Sequence, residues 1–148
     1  MRVLLVGCVL AFAGFTAARA NDDEAKKELK ALQGTWKVVA AEHDGDPLER
    51  IVGGTLVIKE NNFTIKTAGG TEMKGDLVLD PAKKPKHINL AHQEGLLKDK
   101  TWQGIYELKG DTLKLCYAEA DSEKERPTEF KTLKKSQLLL VELKREKK

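Results

Sequence analysis

From Gly34 onward the apolar residues of this chain recur at every second position, in short runs separated by turn residues. Residues two apart on a strand share a face, so each run predicts a strand with one apolar and one polar side. The predicted strands are 35–42, 55–60, 63–67, 71–80, 87–91, 100–108, 112–118, 128–132 and 137–145. No helical run separates them, and this pattern favours an antiparallel up-and-down barrel or a sandwich.

Turn residues divide the predicted strands. Asn61-Asn62 is a tight-turn pair between two strands, and Gly75 inside a strand indicates a bulge or a sharp bend. The segment LERIVGG (48–54) predicts a short irregular or helical connection, and EADSEKERP (119–127) predicts a charged loop. The pattern runs without an internal repeat or a low-complexity linker, so a single domain is expected.

A short amphipathic helix is predicted before the first strand, over residues 21–32. Asn21 and Glu24 have the spacing of a capping box, and Gly34 is placed to end the helix. One apolar stripe follows at helical spacing. It consists of Ala25, Leu29 and Leu32.

The apolar positions of the strands predict a dry barrel interior. Its members are Val38, Leu56, Ile58, Phe63, Ile65, Met73, Leu77, Ile88, Leu90, Leu113, Leu115, Tyr117, Leu139 and Val141. This face carries almost no ionisable group, whereas the opposite face is rich in charged and polar residues. Catalysis needs a polar group where the substrate sits, so the pattern favours a protein that is not an enzyme.

The first twenty residues have the features of a secretory signal peptide. Arg2 supplies a basic region, residues 3–15 are an apolar run, and Ala18-Arg19-Ala20 is a small-residue cleavage motif. The apolar run is shorter than the helix of about 20 residues that spans a bilayer. Cleavage after Ala20 predicts that residues 1–20 are the signal peptide and 21–148 a secreted or periplasmic domain with no transmembrane span. The alternatives are a retained N-terminal anchor and a lipoprotein anchor at Cys8, which lies early in the apolar run.

The net charge of the chain limits the kinds of partner that it is expected to bind. The formal net charge is +3, and removal of Arg2 and Arg19 with the signal peptide lowers it to +1. This is far below the basic charge of a nucleic-acid-binding domain, so no nucleic acid partner is expected. Three lysine-rich clusters either meet an anionic surface or are ordinary solvated surface, and interspersed acids favour the second interpretation. They are Lys83, Lys84 and Lys86; Lys131, Lys134 and Lys135; and Lys144, Arg145, Lys147 and Lys148.

The cysteine, histidine and acidic residues that form catalytic or metal sites in other proteins do not form a clear site in this sequence. Cys116 is the one cysteine after residue 20, so no internal disulfide is predicted, and its strand context favours a buried thiol. His87 and His92 are five apart and would face opposite sides if they shared one strand, which argues against a two-histidine metal site there. Glu42, His43 and Asp44 form a polar cluster at a strand end, for which a solvated turn is the favoured interpretation. We therefore predict no catalytic residue, no cofactor and no metal.

The segment Gly34-Thr35-Trp36, after a short helix, resembles the G-x-W start of lipocalin-type barrels. The resemblance implies that Trp36 closes one end of the barrel and that Arg145, at the end of the last strand, packs over its ring. Five ordered segments resemble a secreted, lipocalin-like domain family of unknown function, best known from planctomycete bacteria. They are LQGTWKVV, LDPAKKPKHINL, GIYELKGDTLKLCYA, RPTEF and LLLVELKRE. The family resemblance implies a small all-β barrel of about eight to ten strands and a secreted location.

Three classes of function follow from this prediction. The first is a module that binds a small apolar or amphiphilic ligand in the barrel, with LERIVGG or EADSEKERP covering the open end of the barrel. The second is a structural or interaction domain of the cell envelope, in which side chains fill the barrel and the function is carried by the loops and the outer surface. The third is an enzyme with Glu42, His43 and Asp44 at the barrel mouth, which is the least favoured. In each case we expect a monomer.

Overall fold

The computed structural model describes residues 16–119 and 125–147, with side chains from residue 22 onward. One helix, α1 (Thr16–Leu32), precedes nine strands and one 3-10 turn (Glu49–Ile51). The strands are β1 (Gly34–His43), β2 (Asp46–Pro47), β3 (Thr55–Lys59), β4 (Asn62–Lys66), β5 (Glu72–Asp80), β6 (Lys86–Glu94), β7 (Thr101–Lys109), β8 (Thr112–Ala118) and β9 (Leu138–Arg145).

The strands form a closed antiparallel barrel. From β3 to β9 each strand pairs with the next along the chain, and β1 pairs with both β3 and β9. Eight strands therefore close the barrel, while β2 is a two-residue extension paired with the end of β1. The predicted all-β up-and-down barrel with a short N-terminal helix is confirmed, and the sandwich is not formed.

The predicted strand over residues 128–132 is wrong. This segment belongs to the connection between β8 and β9 and has no strand pairing among the described residues. A closed barrel leaves no free edge with which a further strand pairs. The segment is held by side-chain contacts instead, because the buried Thr132 hydroxyl donates to Glu42 and accepts from the Gly45 N–H at 3.0 Å.

Two boundaries differ from the prediction. The turn between β3 and β4 consists of Glu60 and Asn61, because Lys59 pairs directly with Asn62. The Gln33 side chain holds Glu60 there, donating to its carbonyl at 2.9 Å and accepting from its N–H at 2.6 Å. Helix α1 already includes Thr16, the first described residue, and so extends beyond the predicted start at Asn21, since the alanine-rich segment TAARA has high helix propensity.

The bulge predicted at Gly75 is present, as a shift in the register of β5 and β6 between Lys74 and Gly75. A Cβ atom at Gly75 would lie 1.9 Å from the carbonyl oxygen of Ala91. The close approach of the two backbones therefore requires glycine at this position.

Helix α1 closes one end of the barrel. Leu32 at its C-terminus is fully buried against the fully buried Trp36, whose indole N–H donates to the Leu32 carbonyl at 2.9 Å. The Arg145 guanidinium lies 4.2 Å above the Trp36 ring and donates to the carbonyls of Ala31, at 2.7 Å, and Gln33. Arg145 thus bonds carbonyl groups at the helix end that have no partner within the helix.

A second contact fixes the helix to the opposite wall of the same end. Glu28 accepts from the Lys86 ammonium at 2.7 Å and from the Tyr106 hydroxyl at 3.0 Å. Lys86 and Arg145 are thereby engaged in packing the closed end, although both belong to lysine-rich clusters of the sequence. Among the residues that the structure describes, no helix has the length and apolarity to cross a bilayer.

Candidate ligand cavity

A cavity of about 840 Å³ lies inside the barrel and opens at the end opposite α1. Its mouth is formed by the ends of β3 and β4, the 3-10 turn, the connection between β6 and β7, and the start of β9. A water molecule takes about 30 Å³ in the liquid, so this space far exceeds a packing defect.

The predicted interior residues divide into two groups along the barrel axis. Nine of them line the cavity: Val38, Leu56, Ile65, Met73, Leu90, Leu115, Tyr117, Leu139 and Val141. The other five lie in the buried core outside the cavity lining: Ile58, Phe63, Leu77, Ile88 and Leu113. With Leu32, Trp36 and Tyr106 they fill the closed half. The floor of the cavity therefore lies just above Trp36, at the level of Leu56 and Leu143.

A row of aromatic rings forms one wall of the barrel interior. Phe63 and His92 meet edge to face at 5.1 Å, across Gly75, which pairs with both and has no side chain between them. His92 meets Trp102 at 4.4 Å, and Trp102 stacks on Tyr117 at 4.5 Å with the two planes 15° apart. Trp102 and Tyr117 line the cavity and give it a rigid, flat wall.

His92 is the buried ionisable exception to the dry interior predicted from the sequence. It is 2% exposed, and neither ring nitrogen has a hydrogen-bond partner among the described residues. Burial in apolar surroundings lowers the pKa of His92, because the charged imidazolium would lose its hydration. His87 lies on the same strand, five residues away, and is half-buried. The described residues include no group of three or more His, Cys, Asp or Glu side chains that could hold a metal ion.

The His92 environment predicts acid sensitivity. In the unfolded chain His92 binds a proton near the ordinary histidine pKa of about 6.5, whereas in the barrel its pKa is lower. The unfolded state therefore binds more protons below about pH 6.5, and the free energy of unfolding falls as pH decreases from about 7 to about 5. Urea unfolding across this range measures the slope. His92→Phe, which keeps an aromatic ring, is expected to reduce it.

His87→Phe is the comparison, because burial also lowers the pKa of His87 and its own share of the slope remains in the His92 variant. A His92→Phe protein with the same pH dependence as the wild type would show that the buried imidazole does not carry this linkage.

The polar cluster predicted at the end of β1 is dispersed by the fold. Glu42 accepts from Thr132, and Asp44 accepts from the Gln137 N–H at 2.6 Å. His43 Nε2 lies 2.7 Å from a carboxylate oxygen of Glu119. These side chains fix the connection between β8 and β9 to the end of β1, which is a structural role.

Both segments predicted to screen the barrel mouth contribute residues to it, and Glu119 is the one from EADSEKERP. Leu48, Arg50 and Ile51 of LERIVGG line the mouth, and the segment contains the 3-10 turn. In EADSEKERP, residues 120–124 lie outside the described part of the chain. Its Arg126 donates to the carbonyls of Ile88, at 3.1 Å, and Gly104, at 2.6 Å, and so fastens this segment to β6 and β7.

Cys116 lies on the outer side of β8, paired with Ile105 of β7, and is fully buried. Burial raises the pKa of the Cys116 thiol to about 11. The thiolate is the reactive form, so the thiol is held in its unreactive state at neutral pH.

Trp102, His92 and Arg50 were not predicted from the sequence to be parts of a site. Alternation along the predicted strand could have placed Trp102 on the inward face, since Trp102 shares a strand face with Gly104 and Tyr106. His92 was missed because the predicted strand ended at Ala91, whereas β6 continues to Glu94. No sequence pattern indicates that Arg50 lies at the cavity mouth, because the position of a short turn relative to the cavity depends on how the barrel closes.

No family model, no curated protein and no solved structure matches this chain. Its function is therefore inferred from the cavity and from the residues around the mouth.

Proposed function

We propose that this chain is a secreted, lipocalin-like binding protein that carries a small apolar or amphiphilic ligand in its barrel. The observation that supports the proposal is the cavity of about 840 Å³, open at one end and closed by Trp36 at the other. Ligand sites in proteins are concave, mostly apolar, and typically about 300–1,000 Å³ in volume. The cavity has all three properties.

The lining changes in character from floor to mouth. The floor is aliphatic, the middle has the Trp102–Tyr117 wall, and polar side chains such as Thr55, Gln137 and Glu119 occur at the mouth. An apolar group gains most by leaving water at the floor, whereas a polar group at the mouth keeps its hydration. The favoured ligand is therefore an amphiphile with its tail inside and its head at the mouth.

A barrel filled by its own side chains is the alternative that this geometry disfavours. The closed half fits that description, since Trp36, Tyr106 and Phe63 are almost fully buried there. The open half differs, because nine inward side chains border the cavity as well as their neighbours in the core. Keeping an apolar cavity of this size without a ligand sacrifices packing contacts that a filled barrel would make.

Binding rather than catalysis is the role that the polar residues support. Glu42, His43 and Asp44 are engaged in separate contacts, so they present no shared constellation to a substrate. Export rests on the signal-peptide features of residues 1–20, of which 1–15 lie outside the described residues. Membership of the secreted lipocalin-like family rests on the five sequence segments that resemble it.

A pair of neighbouring valines offers a direct test. Val38 lines the cavity, whereas Val39 points away from it and is 40% exposed. With nonan-1-ol as a neutral probe, isothermal titration calorimetry is expected to show binding by the wild type and by Val39→Trp. Val38→Trp, whose indole occupies the cavity, is expected to bind at least about tenfold more weakly, a difference of about 1.4 kcal/mol.

Circular dichroism of both tryptophan variants checks that each is folded. Absence of nonan-1-ol binding by the wild type, or equal weakening in both variants, would contradict a ligand site inside the barrel.

A further inference from the structure

The mouth of the cavity carries an unequal set of charges. Three charged residues border it: Arg50 in the 3-10 turn, Lys66 at the end of β4, and Glu119 after β8. Their surroundings decide which of them is available to a ligand.

Lys66 and Glu119 have partners in the protein. The Lys66 ammonium lies 3.9 Å from a carboxylate oxygen of Glu72, the residue with which Lys66 pairs across β4 and β5. Ile65 faces the cavity, so the next residue along the strand projects its side chain to the outer face of the barrel. Glu119 lies 2.7 Å from His43 Nε2, on the side of the mouth formed by β1, β8 and β9.

Arg50 differs from both. Its exposed side chain has no ion pair or hydrogen bond with any residue that the structure describes. The turn that carries it also contributes Leu48 and Ile51 to the mouth, so the cation is positioned directly beside apolar surface. A guanidinium group offers five N–H donors in a planar fork that matches a carboxylate or phosphate group.

We infer that the ligand of this cavity is an amphiphile with an anionic head group, which Arg50 recognises at the mouth. The inference rests on the proposed binding function and specifies its ligand class. The aliphatic floor receives the tail, and the head reaches the rim, where an anion is attracted to Arg50 and repelled by Glu119. A cationic head group would be repelled by Arg50 and attracted to Glu119.

Three probes with the same nine-carbon alkyl tail separate the contribution of the head group from that of the tail. They are decanoate, nonan-1-ol and nonyltrimethylammonium, titrated calorimetrically into the full chain at neutral pH and low salt. The wild type is expected to bind decanoate about fivefold more tightly than nonan-1-ol, because its head group gains one partly exposed ion pair. It is expected to bind the ammonium compound most weakly. Added salt is expected to reduce the advantage of decanoate over nonan-1-ol.

Arg50→Gln is expected to bring the affinity for decanoate down to that for nonan-1-ol, while the affinity for nonan-1-ol stays the same. Lys66→Gln is the matched control, since it removes a cation at the same end whose ammonium is directed to Glu72. It is expected to keep the preference for decanoate.

Each other outcome overturns the inference in a distinct way. Equal affinities of the wild type for decanoate and nonan-1-ol would reject the anionic head and leave the proposed binding function standing. Tightest binding of the ammonium compound would assign the head to Glu119 instead. Loss of the preference in Lys66→Gln but not in Arg50→Gln would reject Arg50 as the recognising residue. Absence of binding by all three probes would reject the proposed function itself.

Discussion

Replacing Trp36 with alanine is expected to lower the free energy of unfolding by about 3–5 kcal/mol, the usual cost of truncating a large buried side chain. Trp36 is fully buried, donates to Leu32, and lies under the Arg145 guanidinium at 4.2 Å. Its loss leaves a void in the closed half and removes the surface on which α1 and Arg145 pack. Urea unfolding followed by circular dichroism measures the change.

Trp102→Ala is the matched control for this prediction. Trp102 is half-buried and borders a cavity that is already open, so its removal leaves fewer atoms without partners. A smaller loss is expected than for Trp36→Ala. An unchanged urea midpoint in Trp36→Ala would rule out the role of Trp36 in closing the barrel.

Gly75→Ala is expected to lower the free energy of unfolding by about 3 kcal/mol, at the upper end of the usual cost of overpacking. The added Cβ would lie 1.9 Å from the Ala91 carbonyl oxygen and 2.9 Å from the His92 Cα. Both are backbone atoms, so β5 and β6 must separate and the contact between Phe63 and His92 must shift. Thermal and urea unfolding measure the effect.

Gly69→Ala adds the same methyl group where there is room for it. The nearest atom to its Cβ is the Thr67 hydroxyl oxygen, at 3.9 Å. The free energy of unfolding is expected to stay within about 0.5 kcal/mol of the wild type, as for most surface substitutions. Equal stability of the two alanine variants would mean that β5 and β6 accommodate a side chain at the bulge without strain.

Much of the barrel was predictable because one physical rule governs nearly every strand. A strand with one dry face repeats its apolar residues at every second position, and the pairs Leu56–Ile58 and Leu113–Leu115 show this directly. The prediction was wrong over 128–132, where closure of the barrel removes the edge that a further strand needs. It was also wrong at Asn61-Asn62, where two hydrogen bonds from the distant Gln33 select Glu60 for the turn.

The cavity itself was not predictable from the strand pattern. Its volume is the difference between the space inside eight strands and the summed volume of the side chains within it, and alternation reports on neither. Nor does alternation reveal that Trp102 and Tyr117 stack, since this depends on the pairing of β7 with β8. Arg50 reaches the mouth because the segment with the 3-10 turn folds back beside β1, where the Leu48 N–H donates to the Ala41 carbonyl at 2.9 Å.

The most direct test of the central claim, a ligand cavity in the open half of the barrel, is a nuclear magnetic resonance titration of methyl-labelled protein with nonan-1-ol. Binding in the cavity is expected to change the methyl chemical shifts of Leu56, Leu90 and Leu115, which line it. The exposed methyl groups of Val78 and Leu133, both outside the lining, are expected to stay unchanged. Shifts confined to exposed methyl groups, or unchanged interior methyl groups at saturating probe, would contradict the account.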